Sequence, residues 1–152
     1  MAPPRRSRAA AVPCPEETIF VELVRTADRL SRGPAQLLRE HDLSPAPYNV
    51  LRILRGAPDG LLCGEIAARM VTREPDLTRL LDRLEKRGLI GRCREEEDRR
   101  RVLVRITPAG LHLLSELDAP VRQLHRRQLG HLSGKDLKRL TRLLSEARRR
   151  LG

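Results

Sequence analysis

The chain has 152 residues, with 31 Lys and Arg against 20 Asp and Glu for a formal net charge of +11, and it contains one Tyr, one Phe and no Trp. That length suits one domain, and the scarcity of aromatics leaves its core to Leu, Ile, Val and Ala, which favours helix over strand. No run approaches the roughly eighteen apolar residues of a membrane span, and Cys14, Cys63 and Cys93 show no metal-ligand spacing, so a membrane protein, a disulfide scaffold and a structural zinc site are all disfavoured.

Residues 1–14, rich in Pro, Ala and Arg, lack apolar periodicity and read as a flexible basic arm without the apolar block of a secretory signal. The expectation is a cytoplasmic protein that needs no cofactor. Net positive charge held almost entirely by arginine points to nucleic acid, because the planar guanidinium suits phosphate and guanine edges. From Pro15, the apolar residues Ile19, Val21, Leu23, Val24, Ala27 and Leu30 recur at helical spacing. Gly33-Pro34 should kink or end this helix before Leu37 and Leu38 carry it to about His41. Ser44 as N-cap and Pro45 in the first turn open a second helix through Tyr48, Val50, Leu51, Ile53 and Leu54.

A short helix from Gly64 to Met70 follows, then the connection VTREP, then a helix whose first turn is fixed by Pro75 and which runs to Arg87 before Gly88 closes it. Two short helices joined by a tight turn form a helix-turn-helix. On the second of them Leu77, Leu80, Leu81 and Leu84 share one arc; the opposite arc carries Arg79, Asp82 and Lys86, flanked by Asp76, Thr78 and Arg83. Alone, this is an ordinary amphipathic surface helix. After a helix-turn junction, it is held by the core and free to offer polar groups to a DNA groove. Asp82 and Glu85 dilute the cationic arc and are expected to pair in part with Arg79 and Lys86.

Leu89 to Arg94 reads as a strand, and Val102, Val104 and Ile106 alternate with Leu103 and Arg105 in a second strand that turns one face to the core. Between them lies EEEDRRR. Mixed charge runs are usually the solvated tips of hairpins. A hairpin directly after a helix-turn-helix is a wing, however, and a wing arginine is drawn to the negative potential of a narrow minor groove. Asp98 reads as the organiser of the tip and Arg100 as the presented group. Arg99 and Arg101 point the other way, to phosphate or water, and Glu95, Glu96 and Glu97 belong on the outer side.

Thr107 as N-cap and Pro108 open a long helix lined by Leu111, Leu113, Leu114, Leu117, Val121 and Leu124, with Pro120 expected to bend it. Ser133 and Asp136 resemble a capping box for a last helix from Lys135 to Arg150, which carries Leu137, Leu140, Leu143, Leu144 and Ala147. These leucines exceed the need of one small core, so the terminal helices should bury them against a second copy. His41, His112, His125 and His131 show neither nucleophile–base pairing nor i, i+4 metal spacing, so no catalytic or metal residue is assigned and an enzyme is not expected.

The run Asp98-Arg99-Arg100-Arg101, then Ile106-Thr107-Pro108-Ala109-Gly110, with TRLLDRLEKRGLIGR from Thr78 to Arg92 upstream, resembles the multiple antibiotic resistance regulator (MarR) family of bacterial winged-helix transcription factors. The resemblance covers residues 16–150. It implies a mainly α fold with a small β-wing: a winged helix-turn-helix lobe over 44–106, with 15–43 and 107–152 forming a helical dimerisation region. It further implies a homodimer, most readily a repressor, on a pseudo-palindromic operator in double-stranded DNA. Base contacts would come from Arg73, Asp76, Thr78 and Arg79, with Arg83 beside them, and minor-groove contact from Arg100 between Asp98, Arg99 and Arg101. A small effector would sit in the crevice between dimer region and lobe, where Phe20 and Tyr48 are the available aromatics.

Arg73-Glu74-Pro75-Asp76 departs from the small hydroxyl residues of many relatives, so operator preference does not carry over. Asp76 reads equally as an acceptor for a cytosine amine and as a helix cap. The alternatives are a thiol- or metal-responsive regulator of the same fold, or a winged-helix module that binds nucleic acid or protein without sequence preference.

Overall fold

A computed structural model describes residues 14–94 and 101–151. The expectations for residues 1–13 and for the wing tip, Glu95 to Arg100, lie outside those residues. In chain order the elements are α1 (Pro15–Arg39), α2 (Pro45–Arg55), α3 (Cys63–Arg69), α4 (Leu77–Lys86), β1 (Ile90–Arg94), β2 (Val102–Ile106), α5 (Pro108–Leu129) and α6 (Gly134–Arg149). The chain divides into two compact units, one ending at Arg32 and one beginning at Gly33.

The first unit holds the N-terminal part of α1. Glu16 and Glu17 sit in its first turn, where the helix dipole favours acids, and the Glu17 carboxylate accepts the Cys14 backbone N–H at 3.1 Å. Ile19, Phe20, Val21, Leu23 and Val24 are all exposed.

The second unit is built on aliphatic side chains, as the composition requires. Leu38, Val50, Leu51, Leu54, Ile66, Leu80, Leu81, Leu84, Ile90, Val104, Leu114 and Leu117 are fully buried, and no charged or polar residue is buried among the described residues. β1 and β2 pair antiparallel, with Ile90 opposite Ile106 and Arg94 opposite Val102. Leu61, in the connection before α3, exchanges both backbone hydrogen bonds with Val104 at 3.0 and 2.8 Å, and so covers the far edge of β2. Period two correctly identified β2, but only Val104 is buried on the expected face; Val102, towards the hairpin tip, extends past the core and is exposed.

The junction between hairpin and α5 is tight. Thr107 caps α5 by accepting from the Gly110 N–H at 3.2 Å while its hydroxyl donates to the Gly88 carbonyl at 2.6 Å. A Cβ at Gly110 would overlap the Leu89 carbonyl and the Ile106 side chain, so this position must be glycine for helix and strand to approach so closely. Gly88, at φ +69°, makes the left-handed turn from α4 into β1.

Several local expectations need correction. α1 runs on through Gly33-Pro34 to Arg39. An interior proline costs about 3 kcal/mol, and full burial of Leu38 one turn later returns about 1.5–3 kcal/mol. Ser44 occupies the N-cap position of α2 as expected, yet its hydroxyl makes no capping bond; Pro47 at the third helical position has no N–H to offer it. Pro75 does not sit in the first turn of α4; Asp76 is the cap and α4 begins at Leu77. Ser133 caps α6 through the Asp136 N–H, at 3.1 Å, but its own hydroxyl donates to the Asp136 carboxylate at 2.6 Å in place of the reciprocal half of a capping box.

Candidate nucleic-acid interface

α4 is held from below by Leu77, Leu80, Leu81 and Leu84, all buried, so its orientation is set by the core rather than by its surface charges. Its two ends are pinned as well. Upstream, the Asn49 side-chain oxygen on α2 accepts the Val71 N–H at 2.8 Å and ties down the turn after α3. Downstream, the Arg87 guanidinium donates to the Asp42 carbonyl at 2.6 Å. The Asp76 carboxylate accepts the Arg79 N–H at 3.2 Å, which favours the capping role weighed for it.

What remains outside is a polar row. Arg73, Asp76, Thr78, Arg79, Arg83 and Lys86 are exposed along the turn and the outer arc of α4. Asp82 and Glu85 lie half-buried on the side that faces the hairpin, and they do not pair with Arg79 and Lys86 as expected. Both go to Arg92 on β1, which bonds Asp82 at 2.7 Å and Glu85 through its other terminal nitrogen. The physical reason is geometric: a guanidinium arriving from a neighbouring strand presents two nitrogens to two carboxylates at once, whereas pairs along a helix surface gain only about 0.2–0.5 kcal/mol each. The bond to Asp82 raises the Arg92 pKa further above its ordinary value despite partial burial, so the charge is permanent.

Arg92 therefore does two things. It joins the root of the hairpin to α4, and its single positive charge offsets part of the negative charge of two carboxylates that would repel phosphate from this face. Arg101 is exposed at the foot of β2, while Asp98, Arg99 and Arg100 lie outside the described residues. Reading the sequence missed Arg92, Asn49 and Arg87; the only local trace of the first was two acids three residues apart on an otherwise cationic arc. Of the two aromatics assigned to an effector crevice, Tyr48 is half-buried on α2 beside a cavity of about 500 Å³, and Phe20 lies exposed on α1 in the first unit.

The model of the MarR family matches residues 41–101, from the end of α1 through the first residue after the hairpin tip. A crystal structure of a MarR transcription factor from Planctomyces limnophilus is 42% identical, covers 90% of this chain and 98% of its own, and superposes with a TM-score of 0.67. The chain belongs to the MarR family. Its architecture, six helices with a two-stranded antiparallel wing among the described residues, is the winged helix of MarR structures. The HTH-type transcriptional repressor IacR of Pseudomonas putida is 28% identical over 129 residues, 85% of this chain and 77% of that protein. A mutant Escherichia coli MarR complexed with operator DNA is 24% identical, covers 86% of this chain and 93% of its own with a TM-score of 0.77, and shares the fold. MarR relatives are transcription regulators and not enzymes, in line with the histidine spacing. No described helix is long and apolar enough to cross a membrane.

Proposed function

We propose that this MarR protein is a sequence-specific DNA-binding transcriptional regulator, acting as a repressor and as a homodimer on a pseudo-palindromic operator under the control of a small effector. The observation that carries the reading is α4: four buried leucines fix it, and Thr78, Arg79 and Arg83 stand outward from it next to a hairpin braced by Arg92. A rigid polar helix beside a wing fits the major groove while the wing reaches the adjacent minor groove. The relatives named as repressors, and the Escherichia coli MarR bound to operator DNA, support the same reading.

The homodimer is supported by unburied apolar surface. α6 buries no residue, and Leu140, Leu143 and Leu144 are each exposed by 39% or more. α1 likewise exposes Ile19, Phe20 and Val24. Contiguous apolar faces of this kind call for a partner, and a second copy supplies the same faces.

The test is competition. A DNA site selected from random sequence should bind about a thousandfold or more tighter than a scrambled duplex at fixed salt, with affinity falling steeply as salt rises. Equal affinity for the two duplexes would reject the specific-regulator reading in favour of a general nucleic-acid coat.

A further inference from the structure

α1 ends in a left-handed turn within the second unit. The Leu43 N–H reaches back to the Leu38 carbonyl at 3.0 Å and the Asp42 N–H to the Arg39 carbonyl at 3.1 Å, with Asp42 at φ +53°. Leu38 and Leu43 are both buried and close the turn on its apolar side. The carbonyls of His41 and Asp42 take their donors from α4. Arg87, the residue at which α4 ends, places one terminal nitrogen 2.6 Å from the Asp42 carbonyl oxygen and the other 3.4 Å from that of His41. A fork of this kind holds two carbonyls at a set distance and angle, which a single donor does not.

Little else ties α1 to α4. Leu38 is the one buried residue of α1. Between the turn and α4 lies a cleft of about 190 Å³, lined by Asp42, Ser44 and Pro47 on one side and by Leu80, Arg83 and Leu84 of α4 on the other. The two segments do not pack flush, and Arg87 spans the gap.

We propose that Arg87 is a positioning residue that sets the separation of the two α4 helices in the dimer, and with it the half-site spacing that the protein accepts. The inference rests on the homodimer and operator reading above. α1 is one unbroken helix whose exposed apolar side chains call for the second copy, so the turn at residues 40–44 is where the DNA-binding lobe hangs from the dimer. Inserting two base pairs between half-sites moves one of them by roughly 7 Å and rotates it by about 70° around the duplex. A lobe free to swing about the turn follows that shift. A lobe whose α4 is tied to the end of α1 does not, and it loses the gain of binding both half-sites at once. Inside the lobe, the four buried leucines hold α4 without help from Arg87, so the reading of a single half-site is left intact.

Anisotropy titrations of the full chain test the assignment with three duplexes: the site selected from random sequence, the same site with two base pairs inserted at its centre, and one isolated half-site. Wild type should prefer the native spacing by about a hundredfold. Arg87→Gln should cut that preference to about tenfold or less while keeping half-site affinity within about twofold, which also reports that the lobe is folded. Arg87→Lys keeps the charge but not the fork, and should lose most of the preference as well. Three results would overturn the proposal: an unchanged spacing preference in Arg87→Gln, full preference in Arg87→Lys, or an equal loss on half-site and full site, which would make Arg87 a phosphate contact. Failure of the regulator reading is distinct, because there the wild type itself would bind the selected site no better than a scrambled duplex.

Discussion

Arg92 on β1 bonds the Asp82 carboxylate of α4 at 2.7 Å while its other terminal nitrogen bonds Glu85, so one guanidinium links the root of the wing to the second helix of the helix-turn-helix. Arg92→Ala should lower unfolding free energy by only about 1 kcal/mol, since the three groups are all partly exposed, but should lower operator affinity by about tenfold. Arg92→Lys, which cannot fork to two carboxylates, should fall between. Adding Asp82→Asn and Glu85→Gln to Arg92→Ala separates the two roles. Recovery of affinity in anisotropy titrations would mean that charge masking dominates; no recovery would mean that alignment of the wing does.

Arg79 is exposed on the outer arc of α4 while its backbone N–H is engaged by Asp76. Arg79→Ala should therefore leave the helix cap and the thermal midpoint nearly unchanged and cost about 1–3 kcal/mol of operator binding if the side chain reads a base edge. A uniform loss across all duplexes, with a shallower salt slope, would instead assign Arg79 to phosphate. Arg100→Ala, placed in the wing by the sequence alone, should weaken the operator complex while leaving the oligomeric state intact.

Gly110 tests the packing that aims the wing. Alanine is the better helix former, but its Cβ would strike the Leu89 carbonyl and Ile106. Gly110→Ala should destabilise the chain by about 1–3 kcal/mol in urea titrations, with unchanged stability counting against the close approach.

The Arg55–Asp118 bridge predicts an acid-side effect of known sign. Hydrogen bonding to Arg55 holds the folded Asp118 pKa below its ordinary 3.8, so its contribution to stability is complete above that value and disappears as pH falls through the depressed one. The stability difference between wild type and Asp118→Asn should be constant above about pH 5 and shrink below about pH 4. A difference that instead grew on acidification would contradict the bridge.

Leu143→Glu, on the exposed apolar face of α6, should convert a dimer to monomer in sedimentation equilibrium without loss of helical signal, because α6 buries nothing within its own chain. An unchanged mass would move the interface elsewhere.

Local patterning was enough to find the elements. The leucines of α4, the alternation of β2, Thr107 with Pro108 and Ser133 ahead of Asp136 all act within a few residues of themselves, so period and capping chemistry reveal them directly. The same local view misjudged Pro75, where a better cap one residue on decided the geometry. Partner choice was beyond it. Asp82 and Glu85 have suitable cations on their own helix but pair across to Arg92, and Arg55 meets Asp118 from 63 residues away. A charged side chain reaches several ångströms in any direction at little cost, so which opposite charge it finds is set by how the helices and strands pack, and that is decided by the core rather than by spacing along the chain.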